Sequence, residues 1–156
     1  MRVIGLDPGY IESAFCVYNG VEPLAFQKIR NEELLAQLPH WCDGMLVIEQ
    51  MKNYGMPAGD EILDTVFVSG RFAQVWKSLG REWCRVTRKA VVGHICNSGK
   101  AKDANVRQAI IDRYGGKDKA IGKKATPGPL YGMSKDCWSA LAIAIYWWEA
   151  TKGGTF

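Results

Sequence analysis

The first strand of the chain ends in an acid, and this feature limits the fold more than any other. Residues 3–9 read VIGLDPG, in which an apolar run ends at Asp7 and the following Pro-Gly predicts a turn. A carboxylate at the end of a buried strand is costly in free energy unless it is paired or bound to a cation. The segment therefore predicts a strand at the centre of a sheet and a site that includes Asp7.

The elements after this strand predict an α/β fold. Residues 13–18 and 22–29 favour two more strands, and Asn19-Gly20 between them is a strong hairpin signal, so the chain opens as an antiparallel meander. The continuous apolar run at residues 45–48, which ends in Glu49-Gln50, predicts a further strand at 45–50, and residues 83–87 predict another short strand. Helical spacing predicts helices at residues 31–38 with Asn31 as N-cap, 60–79, 88–95, 103–114 and 134–150. We expect a five-stranded mixed sheet, three antiparallel strands followed by parallel strands, with helices on both faces.

Three segments carry finer expectations. The apolar side chains of residues 60–79 recur at helical spacing, which predicts a long core helix. Residues 115–133 combine glycines, prolines and lysines and resemble a mobile loop. The last helix, with Ser134 as its N-cap, is apolar all round and should be buried. With 156 residues the chain is expected to form one domain, residues 1–156.

The distribution of charge suggests a polyanionic partner. Residues 1–64 carry 4 basic and 10 acidic side chains, whereas residues 65–156 carry 16 basic and 6 acidic ones. Such a basic half suits nucleic acid, although an ordinary basic surface would look the same. No apolar run approaches the roughly 20 residues of a membrane-spanning helix. No secretory signal is evident, and the 5 cysteines form no C-x-x-C pair, so a cytoplasmic location without a membrane is expected.

Three acids lie at the ends of elements that are otherwise apolar: Asp7, Glu49 and Asp136. Converging carboxylates repel one another, and Mg²⁺ relieves the repulsion because it prefers oxygen ligands. Two such ions about 4 Å apart would activate a water and stabilise the leaving oxygen in phosphodiester cleavage. Each acid also has a structural interpretation. Asp7 could be a turn residue, Glu49 could pair with an arginine, and Asp136 could complement the helix dipole.

The chain resembles a known family in three segments that follow in order. GLDPG at residues 5–9, LVIEQ at 46–50 and DCWSALAIAI at 136–145 are similar to the RuvC Holliday junction resolvases of the RNase H fold. The resemblance extends from end to end, and GPLYG at residues 128–132 looks like the bacteriophage versions. It implies a single RuvC-like nuclease domain with an RNase H-like fold.

The resemblance also implies roles for individual residues. Asp7, Glu49 and Asp136 would be catalytic and would bind two Mg²⁺ ions, with Mn²⁺ as a substitute. The family usually has a second acid three residues after the Asp136 position, where this chain has Ser139, so Ser139 is the fourth candidate ligand. A hydroxyl is a far poorer Mg²⁺ ligand than a carboxylate, which puts one metal site in doubt. The candidate DNA contacts are Met51, Lys52, Tyr54, Arg88, Lys89, Lys100, Lys102, Lys117, Lys119, Lys123 and Lys124.

The function expected from these features is Mg²⁺-dependent cleavage of four-way DNA junctions by a homodimer. Three alternatives stay open. The chain could cut flaps or forks, it could cut structured RNA, or it could bind junctions with impaired catalysis because of Ser139. A small RuvC-like family thought to process ribosomal RNA also begins with an Asp-Pro-Gly strand. An actin-type ATPase is not favoured, since that activity needs two such domains.

Overall fold

A five-stranded mixed sheet forms the centre of the protein. The computed structural model describes residues 1–41 and 43–152. The strands run in the spatial order β3-β2-β1-β4-β5 and comprise β1 (Val3–Asp7), β2 (Glu12–Tyr18), β3 (Pro23–Arg30), β4 (Met45–Gln50) and β5 (Trp83–Thr87). The pairs β1–β2 and β2–β3 are antiparallel, and the pairs β1–β4 and β4–β5 are parallel. The expected sheet of three antiparallel strands followed by parallel ones is confirmed.

Helices cover both faces of this sheet. They are α1 (Asn31–Gln37), α2 (Asp60–Ser78), α3 (Arg88–Cys96), α4 (Asp103–Arg113), α5 (Lys117–Ala120) and α6 (Lys135–Lys152), with a 3₁₀ turn at Leu38–His40. Ile4, Leu6 and Ile48 face α1 and α2 in one apolar cluster. Val3 and Val47, on the opposite face, pack with α3, α4 and α6 in the other. Alternate residues of each strand therefore belong to different cores, because strand side chains alternate between faces.

The helix α6 is the most deeply buried helix, as its composition predicts. Its residues from Ala140 to Ile145 are at most 2% exposed. It packs directly on β1 at Gly5, where a Cβ atom would lie 2.0 Å from the carbonyl oxygen of Ala140. Only glycine permits this approach, which fixes the first turn of α6 near the end of β1.

The prediction for Asn31 is wrong in one respect. Asn31 is the first residue of α1, and its side chain makes no cap. Its amide instead donates to the carbonyl of Gly9 at 2.8 Å and accepts from the hydroxyl of Ser13 at 2.6 Å. Ser13 accepts in turn from the backbone N–H of Gly9 at 3.1 Å. This buried network fixes the turn after Asp7, so a tertiary contact has displaced the local cap.

Two other predictions need correction. Only part of α2 belongs to the core, because Leu63, Val66 and Phe67 are 56%, 51% and 72% exposed. The segment 115–133, expected to be a mobile loop, contains α5 and the hairpin of β6 (Gly122–Lys123) and β7 (Thr126–Pro127). Ala120 and Leu130 anchor it in the core. Across residues 1–41 and 43–152, no helix is long and apolar enough to cross a membrane.

Candidate active site

The sheet places Asp7 and Glu49 side by side. Leu6 of β1 pairs with Ile48 of the parallel strand β4. The next residue on each strand is an acid, so Asp7 and Glu49 lie next to each other near the ends of the two strands. Both side chains lie on the face that α6 covers, because Gly5 and Val47, two residues earlier, lie on that face. Adjacent carboxyl ends of parallel strands thus bring two acids from distant parts of the chain together.

The third acid arrives on α6. Asp136 is the second residue of this helix and lies one turn before Ala140, which contacts Gly5. Oδ2 of Asp136 lies 2.6 Å from Nζ of Lys28. Both side chains line one cavity of about 350 Å³ together with Asp7. Lys28 escaped the sequence analysis, because a lysine in a strand has no local signal that it faces a site.

The other two acids raise the pKa of Asp7. Burial raises the pKa of Asp7 to about 8, and the negative charges of Glu49 and Asp136 add to that rise. Burial also raises the pKa of Glu49, whereas the positive charge of Arg88 opposes the rise. Such shifts mark places where negative charge accumulates and where a cation would be favoured.

A fourth carboxylate, which sequence reasoning missed, lies beside this group. Asp103 is the first residue of α4, and it pairs with Arg88, the first residue of α3. Its negative charge raises the pKa of both Asp7 and Glu49. The only available signal was its place in the first turn of a predicted helix, which is common for acids.

Ser139, the fourth candidate ligand, lies beside Glu49. It lines a cavity of about 310 Å³ together with Glu49, Arg88 and Asp103. Asp103 therefore supplies a carboxylate to the same cavity in which Ser139 has only a hydroxyl. The remaining wall is largely apolar and includes Val92 and Trp138.

The donor atoms of the site suit a divalent ion in part. Carboxylate oxygens are the ligands that Mg²⁺ prefers, and Asp7 and Glu49 offer them from neighbouring strand ends. Asp136, however, is held by Lys28. Among the residues that the structure describes, no three His, Cys, Asp or Glu side chains form a group that could hold a metal ion. The site thus offers a divalent ion two carboxylates from neighbouring strand ends, while Lys28 holds the third.

Five of the predicted DNA-contacting residues lie together next to Glu49. They line a cavity of about 430 Å³ and comprise Met51, Lys52, Tyr54, Arg88 and Lys89. Tyr54 is 68% exposed and has a positive φ of 49°, unusual for a bulky residue, in the loop after β4. The geometry makes Tyr54 a side chain that projects from a tight turn beside the acids.

The remaining predicted contacts lie outside this cavity. Lys100 and Lys102 are exposed in the segment before α4, and the adjacent Ala101 lines the cavity wall. Lys117 and Lys119 belong to α5, and Lys123 and Lys124 to the following hairpin and its turn; all four are exposed. They line none of the three cavities next to the acids.

Comparison with known proteins supports the fold. No family model matches the sequence, and none of the curated proteins is similar to it. The mixed sheet with its order β3-β2-β1-β4-β5 and helices on both faces is consistent with an RNase H-like fold. Within it, the chain resembles Thermus thermophilus RuvC, with a TM-score of 0.71 and 16% identity, over 98% of this chain and 97% of that one. A structure of T. thermophilus RuvC in complex with a Holliday junction substrate matches with a TM-score of 0.71 and 16% identity, over 98% and 96%. The protein therefore has a RuvC-like fold.

Proposed function

We propose that this chain is a RuvC-like nuclease domain, residues 1–156, that cuts four-way DNA junctions by divalent-metal-dependent hydrolysis. The proposal rests on one observation: Asp7, Glu49 and Asp136 lie at one edge of the sheet in a RuvC-like fold. A similar solved structure is a RuvC bound to a Holliday junction substrate. Ordinary surface acids would not explain why a buried carboxylate on β1 has its pKa raised by the charges of Glu49 on β4 and Asp136 on α6.

The chemistry follows from these groups. Hydrolysis forms a bond from a water oxygen to phosphorus while the bond from phosphorus to the leaving oxygen breaks, and the leaving oxygen takes up a proton. Mg²⁺, or Mn²⁺ in its place, would supply positive charge for the attacking water and for the developing negative charge. In this proposal Asp7 and Glu49 would hold such an ion from neighbouring strand ends, with Asp136 as a further candidate ligand. Their raised pKa values mean that the carboxylates gain by binding a cation.

The surface next to the acids suits DNA. Lys52, Arg88 and Lys89 border the cavity beside Glu49 and could contact phosphates. Tyr54 projects from the same loop and could stack on a base at the open centre of a junction. Lys117, Lys119, Lys123 and Lys124 would extend the positive surface to DNA arms farther from the cut.

A homodimer is part of this proposal, because a symmetric junction requires two coordinated cuts. Leu63, Val66 and Phe67 are spaced three and four residues apart, so they share one face of α2. Exposed apolar side chains grouped in this way are typical of an interface rather than of free surface. We propose that this face of α2 contacts a second copy of the chain.

The test uses purified protein, four labelled DNA substrates of matched sequence (a four-way junction, a fork, a flap and a linear duplex) and a labelled structured RNA. We expect Mg²⁺-dependent paired cuts in the junction and little cleavage of the duplex. Asp7→Asn should abolish cleavage and keep junction binding in a gel-shift assay. An intact junction, under conditions in which a RuvC enzyme cuts it, would overturn the proposal. Preferred cutting of the fork, the flap or a structured RNA would assign one of those substrates instead.

A junction-binding protein with impaired catalysis is the second candidate. Ser139 favours it, because a hydroxyl faces the cavity where the related enzymes usually have an acid. Under this hypothesis Ser139→Asp should raise the cleavage rate sharply, while Ser139→Ala should leave a low rate unchanged. Equal and robust cleavage by the wild type and by Ser139→Asp would dismiss it.

A further inference from the structure

Gly70 is a glycine in the middle of α2 for which the chain itself gives no reason. Glycine inside a helix destabilises it relative to alanine, so its presence there calls for a close approach by another group. Apart from the backbone of α2 itself, an added Cβ at Gly70 would have no atom within 4 Å. Gly70 lies seven residues after Leu63 and three after Phe67, so it continues the exposed apolar face of α2. The space at Gly70 is therefore open to a group from another molecule.

A cavity of about 220 Å³ lies beside Gly70. Its wall on α2 includes Val66, Gly70 and Ala73, and its opposite wall includes Glu49 and Met51 at and just after the end of β4. An apolar cavity of about 150 Å³ is enough to hold a benzene molecule, so this one has room for a phenyl ring. The cavity thus connects the exposed face of α2 with the strand end that carries Glu49.

Phe67 is the side chain on the same face that would fill such a cavity. It is 72% exposed, and it does not line the cavity of its own chain. A projecting ring and a hollow on one surface are self-complementary. Two copies related by a two-fold axis would use both features, since each ring would enter the hollow at Gly70 of the other copy. A different partner would use one feature and leave the other uncovered, so the surface favours a second copy of this chain.

The charges of α2 fit the same arrangement. A two-fold axis that crosses α2 midway between Phe67 and Gly70 makes the two helices antiparallel. Asp60 lies seven residues before Phe67, and Lys77 lies seven residues after Gly70, so this register also places each Asp60 opposite a Lys77. Both side chains are exposed, and neither makes an ion pair within residues 1–41 and 43–152. One register therefore matches the ring with the hollow and the acid with the base.

We propose that Phe67 of each chain enters the cavity at Gly70 of a second copy and packs on Met51, so that each copy contributes to its partner's site. This inference rests on the proposed function and specifies how the homodimer acts on the active site. Residues 52–60, directly after Met51, are all exposed, including Tyr54. A loop with so little burial has few contacts of its own to hold it in place. The ring from the second copy fixes the start of this loop, so dimer formation sets the position of Tyr54.

The first test uses two variants that each remove one half of the contact. Gly70→Leu fills the hollow with a residue that favours helix, and Phe67→Ala removes the ring. In sedimentation equilibrium, each variant alone should associate at least about 10-fold more weakly than the wild type. An equimolar mixture should form a heterodimer, because the Phe67 ring of the first variant enters the intact hollow of the second. Junction cleavage should fall in each variant and recover in the mixture.

Charge reversal gives a second test that leaves the cavity unchanged. At low ionic strength Asp60→Lys and Lys77→Asp should each weaken the dimer, because like charges then face each other, and the double variant should restore it. Glu61→Lys is the matched control. Glu61 is an exposed acid in the same first turn of α2, but it lies six residues before Phe67 and thus on a different face. This variant should associate like the wild type.

Three results would each overturn the inference. They are a monomeric wild type that cuts junctions, a Gly70→Leu variant that dimerises and cuts like the wild type, and a double charge reversal that associates as weakly as the single ones. Circular dichroism checks that every variant is folded, and the charge variants decide the outcome if Gly70→Leu does not fold. The proposed function fails separately, if the wild type forms this dimer and cuts no branched substrate.

Discussion

Replacement of Gly5 by alanine tests the packing that brings Asp136 to Asp7. The added Cβ would lie 2.0 Å from the carbonyl oxygen of Ala140 and 3.0 Å from the backbone nitrogen of Ala144. Contacts of Cβ atoms under 3.0 Å essentially do not occur, so α6 must move away from β1 by about 1 Å. Overpacking of a core costs about 1–3 kcal/mol, and the upper end applies because the obstacle is helix backbone that no rotamer change can move.

This estimate converts into a measurable loss. For a chain of this length, about 3 kcal/mol lowers Tm by roughly 6–12 °C. The same displacement of about 1 Å shifts Asp136 relative to Asp7, and misplacement on this scale can reduce a reaction rate about 100-fold. Thermal denaturation followed by circular dichroism gives the first quantity. Junction cleavage well below the Tm of the variant gives the second.

Gly93→Ala is the matched control. Gly93 lies inside α3, where an added Cβ would meet only atoms of Gly99 at 3.9 and 4.0 Å, so alanine should stabilise the helix by about 0.5–1 kcal/mol. Opposite effects of the same substitution on Tm would support the close contact at Gly5. A Gly5→Ala variant within about 1 °C of the wild-type Tm would refute the reasoning.

Three further changes have definite expected outcomes. Burial raises the pKa of Asp7 from 3.8 to about 8, so the folded protein favours the neutral form of this side chain. The metal-free protein should therefore lose stability as the pH rises from 3.8 to about 8. The loss in the free energy of unfolding should reach up to about 1.4 kcal/mol per pH unit. Asp7→Asn should flatten this dependence in urea denaturation with EDTA at pH 5 and pH 8; parallel curves would contradict it. Asp103→Asn should weaken Mn²⁺ binding several-fold in calorimetry, because a negative charge near the site is lost. Asp112→Asn, on the same helix, should leave the affinity for Mn²⁺ unchanged. Equal Mn²⁺ affinities of the two variants would exclude Asp103 from the site. Phe67→Glu should convert a dimer into a monomer in light scattering, since a charge would be buried in the proposed interface, and an unchanged mass would place the contact elsewhere.

The fold and the three acids could be predicted because their signals are local. An apolar run that stops at Asp7, another that ends near Glu49 and a buried helix that begins near Asp136 can each be seen in a short window of sequence. Parallel pairing then brings strand ends together regardless of their separation in the chain. In the observed order β3-β2-β1-β4-β5, β1 lies beside β4 in the parallel direction, as this convergence requires.

The place of Lys28 could not be predicted, because it depends on register. The hairpin between β2 and β3 shifts register at Val17/Tyr18, and residues 19–22 form its connection. A register counted from a two-residue Asn19-Gly20 turn would pair Lys28 with Ile11 instead of Ala14 and place it on the opposite face. One irregularity in a strand thus decides whether a lysine reaches the acids.

The exposed face of α2 illustrates a different limit. Helical spacing of Leu63, Val66 and Phe67 predicts an apolar stripe, but the pattern does not say whether the same chain covers it. The prediction of Asn31 as an N-cap is wrong for a related reason. The preference of asparagine for the N-cap position contributes less than the buried hydrogen bonds that Asn31 makes with Ser13. In both cases the deciding contact is tertiary.

The packing of α6 on β1 also affects the rate at which the protein folds. These two elements lie near opposite ends of the folded chain, yet their backbones touch at Gly5 and Ala140. Contacts between residues so far apart in sequence raise the contact order and slow folding, because the intervening chain must be ordered before they form. A partly folded chain can pair β1, β2 and β4 while Asp136 is still absent from the sheet edge. The complete set of acids therefore exists only once α6 has packed on β1.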